Sequence, residues 1–348
     1  MADRYWVGGT AAWDNTAGTK WATTSGGAGG AAVPTSADDV YFDANSGSGT
    51  VTLQGGNCRN LTTTGFTGTL TGTNSFVLTI YGNFTLAATH GYTAQTLTYM
   101  PGTGSNRTLN SAGNTLYQLT IYGAGTVSLQ SNLTTGFLSV SSGATFDAAG
   151  YAVTVQAYVS ASGTSSAQST LKIGTGTWAL TGNTTVWDVR EYAIIDATSA
   201  SKIVIAGSGT GTKYFGSILS AFAGTLELQG SSVCTYDILI PAVGALKYSK
   251  TIASTIRLLP NATTTVSQWL ISGSAGNLVT LTAGSTATVH YTGVGKVSAD
   301  YLNISNITAT PSNTWYAGTH SVDSGGNTGW TFSDPPVASS IGFFACSF

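Results

Sequence analysis

Residues 314–330 read TWYAGTHSVDSGGNTGW and gather Trp315, Tyr316, His320, Asp323, Asn327 and Trp330 between glycines. These residue types could do chemistry. An imidazole beside a carboxylate can move a proton, and Trp and Tyr faces can hold a ligand. His320 and Asp323 stand three apart, close enough to pair within a loop. No nucleophile stands with them, however, and no G-x-S-x-G elbow occurs in the chain. Asp323-Ser324-Gly325-Gly326-Asn327 is turn chemistry. The same aromatics are large enough to plug the end of a stack of strands, with their polar tips hydrogen-bonded. The stretch is therefore expected to be a C-terminal cap. If a ligand is held there, Trp315, Tyr316, His320, Asp323 and Trp330 are the binding candidates.

The other chemically capable residues give weaker patterns. Asp38, Asp39 and Asp43 could gather round a hard cation, but the EF-hand spacing is absent. A turn before Val40-Tyr41-Phe42, with Asp39 capping backbone N–H groups, is the expectation. Asp188, Arg190, Glu191 and Asp196 form a charge cluster that could supply a glycosidase carboxylate pair, or an exposed salt bridge. His90, His290 and His320 are isolated, with no H-x-H or HExxH spacing, so no metal site is expected. Cys58, Cys234 and Cys346 lie far apart and are expected as buried small hydrophobes. Trp178, Trp187 and Trp269 sit in strand-like runs, where one face could present them to sugars. The glycine runs match neither Walker A nor the Rossmann fingerprint. No catalytic residue and no cofactor is expected.

The elements that must position these residues are strands. Of 348 residues, 45 are Gly and only 7% are charged, against about 25% in ordinary domains. Thr, Val and aromatics fill the stretches between glycines and suit pleated surfaces. Aromatics at 10% and a net charge of −2 argue for order rather than disorder. Twelve basic residues are scattered without a cluster, which argues against a nucleic-acid partner. No run of about 18 apolar residues is present, so no membrane insertion is expected. MADRYWVGG lacks the basic and apolar regions of a Sec-type leader.

LTIYG occurs at 78–82 and again at 119–123, and Gly-Thr-x-x-Leu-Gln occurs at 49–54, 125–130 and 224–229. Short alternating runs such as Leu138-Ser-Val140, Leu171-Lys-Ile173 and Leu226-Glu-Leu228 recur between turn residues. Their intervals, roughly 17–21 residues, are those of a solenoid coil, with the 41-residue LTIYG offset spanning two. A propeller calls for a longer and more regular period, and tandem sandwiches call for linkers that the middle lacks. The expectation is all-β: a right-handed parallel β-helix, or β-solenoid, with aromatic-rich N- and C-terminal caps. The boundaries read 1–57 for the N-terminal cap, 58–296 for the body, 297–333 for the C-terminal cap and 334–348 for a hydrophobic docking tail. Phe343, Phe344 and Phe348 in that tail are candidates for subunit docking, because a free apolar tail is a solubility liability.

Three stretches, RYWVGGTAAWDNTAGTKWATTSGGAGGAAVPTSADDVYFDANSG (4–47), GTGTWALTGNTTVWDV (174–189) and VSADYLNISNITATPSNTWYAGTHSVDSGGNTGWTF (297–332), resemble a group of β-helical bacteriophage structural proteins. The resemblance covers residues up to about 332. It implies a virion component built on a parallel β-helix: a capsid decoration, head fibre or tail appendage, with no established chemistry. The expected partners are other virion proteins, further copies of the chain and a host-surface glycan. The expected location is the virion, assembled in the host cytoplasm and extracellular after release. A polysaccharide-binding adhesin and a polysaccharide depolymerase on the same scaffold are the alternatives.

Overall fold

The computed structural model describes residues 2–13, 19–95, 97–102, 104–141, 143–190, 192–216 and 220–336. The chain is an all-β parallel solenoid of about 13 coils. Each coil lays strands on three walls. One early coil runs through Asp39–Tyr41, Thr50–Leu53 and Gly56–Cys58, and the next through Leu61–Thr62, Thr69–Gly72 and Val77–Ile80. Each strand pairs in parallel with its counterpart one coil on: Val40 with Leu61, Val51 with Leu70, Gly56 with Leu78.

Alternation decides what faces inward, because successive strand residues point to opposite sides. Leu138 and Val140, Leu171 and Ile173, and Leu226 and Leu228 are all buried, while the residues between the first two pairs are half-exposed. These inward residues belong to one apolar core that runs from Trp6 to Ala317. Burying each large aliphatic side chain stabilises by roughly 1.5–3 kcal/mol, so stacking coils, rather than charge, holds the fold. Outward Ser, Thr and Asn ladder between coils, as Ser139 does with Ser160 at 3.1 Å and Thr308 with Thr328 at 2.9 Å.

The two LTIYG copies stand two coils apart on one wall, since Leu78 and Leu119 both pair with Thr98. The Gly-Thr-x-x-Leu-Gln copies do not share a wall. Gly49–Gln54 extends the second wall, whereas Gly125–Leu129 belongs to the first, beside Arg107–Asn110. The motif is a strand-and-turn cassette, not a register mark. Coil length is also less regular than the sequence intervals suggest. It is 19 residues between Leu119 and Leu138 but 28 between Val159 and Trp187. The extra residues lie in corner loops, which lengthen a coil without disturbing the inward ladder.

Some corners are strands that bend without breaking. Val153–Ser162 pairs through its first half with Thr177–Leu180 and through its second half with Thr185–Val189. Val279–Tyr291 does the same later, with Ser254–Leu258 and then Thr263–Leu270. Stacked backbones come so close at such corners that only glycine fits. A Cβ on Gly244 would stand 2.0 Å from the Ala223 carbonyl oxygen.

Both ends are plugged by aromatics. At the start, Trp21 packs edge-on against Trp6 and Trp13 at 5.1 and 5.2 Å. Trp21–Ala22 is also the edge strand of the first wall, and it pairs antiparallel with Asp3–Trp6. That reversal ends the parallel stack and removes an exposed template for further pairing. The ladder reaches into both terminal segments: Val40 and Val51 are already in register near the start, and Leu302–Thr310 remains in register near the end.

Candidate functional site

The knot at 314–330 is built on the last coils. Trp315 is fully buried on Trp315–Tyr316, which pairs with Val297–Ser298 and with Trp330–Thr331. Its ring lies 5.2 Å from Trp269, 5.0 Å from Trp330 and 5.9 Å from Tyr291. Its Nε1–H donates to the Thr310 carbonyl at 2.9 Å. Trp330 is only half-buried and its Nε1 has no hydrogen-bond partner, contrary to the expectation of a bonded polar tip. Tyr316 faces outward beneath Lys296, whose Nζ lies 4.8 Å from the ring centre.

His320 does not pair with Asp323. Its Nδ1 lies 2.7 Å from Oδ2 of Asp300, and its ring stacks on Tyr301 at 4.5 Å and 7°. Burial pushes the Asp300 carboxyl upward, but bonds from the His320 side chain and from the Tyr301 and His320 backbone outweigh it and hold it below its usual value. Asp323 instead accepts from Gly325 N at 2.9 Å and Asn327 Nδ2 at 2.6 Å, closing a turn. Asp300 stands 20 residues before His320, one coil away. The coil period is the sequence signal that could have found it.

The remaining candidates go to structural partners. Asp38 accepts from Thr35 and Ala2, and Asp43 caps the short 3-10 turn Ala44–Ser46. Asp39, expected as the cap, mainly takes Arg59 and Asn60, with Arg59 Nε at 2.7 Å. All three carboxylates are thus committed to separate partners. His90 bonds Thr63 at 2.8 Å and His290 bonds Thr310 at 2.9 Å. Cys58 and Cys234 are buried free thiols, and burial pushes the Cys58 thiol well up. Cys346, Glu191, Phe343, Phe344 and Phe348 lie outside the described residues.

Trp178, Trp187 and Trp269 do not form a surface row. The first two are fully buried, with Trp178 edge-on to Phe146 and Trp187 stacked on Phe215, and Trp269 belongs to the C-terminal plug. The outward aromatics are others. Tyr117, Phe137 and Tyr158 climb the corner between the second and third walls, with ring centres 6.0 and 5.1 Å apart. Each precedes an inward position or lies out of phase with it, as Phe137 does beside buried Leu138 and Tyr158 beside buried Val159. A bulge between Thr135 and Phe137 turns the strand at this corner.

One groove runs beside the ridge and another lies at its Tyr158 end. The first, of about 500 Å³, is lined by Tyr117, Gln95, Thr115, Gly136 and Gln156. The other, of about 440 Å³, is lined by Tyr158, Ser160, Ser162, Thr185, Asp188 and Arg190. In it, Arg190 Nε and Nη2 both reach Oδ2 of Asp188, at 2.8 and 2.7 Å. Asp196 lies on the first wall, paired with Lys172, so these acids do not converge on a facing pair. Among the described residues, no helix is long and apolar enough to cross a membrane. No family model matches the sequence, and no curated protein or solved structure matches it.

Proposed function

We propose that the chain is a non-enzymatic structural and attachment component of a bacteriophage virion, a rigid solenoid spacer that serves as capsid decoration, head fibre or tail appendage. The supporting observation is the single core running from Trp6 to Ala317 with an aromatic plug at each end. Such a core makes a stiff rod, because each coil is fixed by its neighbours and no linker interrupts the stack. At about 4.8 Å per coil, about 13 coils give a rod roughly 60 Å long. The terminal motifs that resemble phage β-helical proteins supply the setting. Polysaccharide cleavage gains no support from the geometry, because Asp188 is neutralised by Arg190 and Asp196 lies on another wall.

The test is the protein's place in particles. Mass spectrometry of purified virions from the source phage should find the chain at stoichiometric copy number, and antibody labelling should place it at one site. Its absence from particles would overturn the proposal.

A further inference from the structure

We propose that the ridge of Tyr117, Phe137 and Tyr158, with the Asp188–Arg190 groove at its end, binds an uncharged linear glycan laid along the solenoid axis. The proposal rests on the attachment role above and names the partner that the rod would meet.

Three observations carry it. First, the rings point outward: Tyr158 is 40% exposed, and Tyr117 and Phe137 are half-buried beside it. Aromatic rings give large, rigid contact area with little entropy lost on binding. Second, their ring centres step 6.0 and 5.1 Å along the stacked coils, with neighbouring rings edge-to-face at 66° and 77°, so an apolar stripe of ring faces and edges advances by about the length of one sugar ring per coil. A stripe with that step suits a repeating polymer. Third, the ridge ends in a polar pair. Both Arg190 contacts use Oδ2 of Asp188, which leaves Oδ1 as an acceptor and Arg190 Nη1, on the far edge of the guanidinium, as a separate donor. Hydroxyls spread along a sugar chain can use both. Gln156 and Gln95 line the other groove and offer further donors and acceptors.

Charge selects among polymers. Asp188 neutralises Arg190 within the groove, and the chain carries a net charge of −2, so nothing draws in a polyanion. The ligand class is therefore a neutral hexose or N-acetylhexosamine chain.

The experiment uses the full chain, fluorescently labelled, on an array of bacterial and eukaryotic surface glycans, followed by titration calorimetry with the strongest oligosaccharide. Phe137→Ala/Tyr158→Ala and, separately, Arg190→Ala should each weaken binding at least tenfold, with melting temperatures close to the parent's. Tyr151→Ala, at another exposed aromatic away from the ridge, should leave binding unchanged. An array without any bound glycan, binding confined to acidic glycans, or binding indifferent to the ridge variants would each overturn the proposal. The spacer role would stand if the chain were still found in virions. Conversely, ridge-dependent glycan binding by a chain absent from virions would keep the ridge and remove the phage setting.

Discussion

Trp315 carries more of the C-terminal end than Trp330 does, because it is fully enclosed and its indole N–H is bonded. Trp315→Ala should cost about 3–5 kcal/mol in denaturant unfolding, and Trp330→Ala clearly less. Equal losses would show that the two rings act as one unit. Glu227 is a second site with a definite expectation. It is buried between Lys202 on one neighbouring coil and Lys247 on the other, at 2.6 and 3.1 Å, and accepts from Ser249 at 2.5 Å. Burial alone would raise its pKa, but these partners outweigh burial and bring it down to about 2 from an ordinary 4.5. A depressed carboxyl adds stability that is fully present above the unfolded value and is lost as pH falls through the folded one. Melting temperature should therefore fall between pH 4.5 and 2, and the fall should be shallower in Glu227→Gln. That triad was not legible in the sequence, because its members become neighbours only once coil register is known. The His320–Asp300 pair escaped for the same reason, while the adjacent His320 and Asp323 suggested a pair that does not form.

Strands were legible as elements because alternation needs only local sequence. The direction of individual aromatics was open at that level, with Trp178 and Trp187 as candidates to face sugars, although phase carries the answer: Trp178 shares its phase with buried Leu180, and Trp187 with buried Val189. Phe137 and Tyr158 sit out of phase with Leu138 and Val159, and that mismatch is the local signature of the ridge. Coil length was not legible, since corner loops add residues that no periodicity records. Corners themselves make a sharp prediction. Gly244→Ala pushes a methyl against the Ala223 carbonyl across two stacked coils. It should destabilise by about 1–3 kcal/mol, as overpacking does. An unchanged melting temperature in circular dichroism would show that the coils can part at this corner.

For the whole molecule, the open question is how rods join. The tail beyond Pro336 holds Ile341, Phe343, Phe344 and Phe348, and these are proposed to dock copies onto one another or onto a neighbouring virion protein. Light scattering should give a multiple of the 35.4 kDa chain mass for the intact protein and the chain mass for Phe343→Ser/Phe344→Ser/Phe348→Ser. An intact monomer would turn attention to a different virion partner.

The ladder hydrogen bonds join one coil to the next, so they point along the rod. Tension applied at the two chain ends therefore loads them in series, and a coil should peel away by itself once its own bonds fail. Coils of 19 and 28 residues should release roughly 65 and 95 Å of extended chain on rupture. Optical-tweezer traces should then show a sawtooth of unequal teeth, starting from one plug. A rod used as a tether would yield in small instalments under load and zip back when the load is removed.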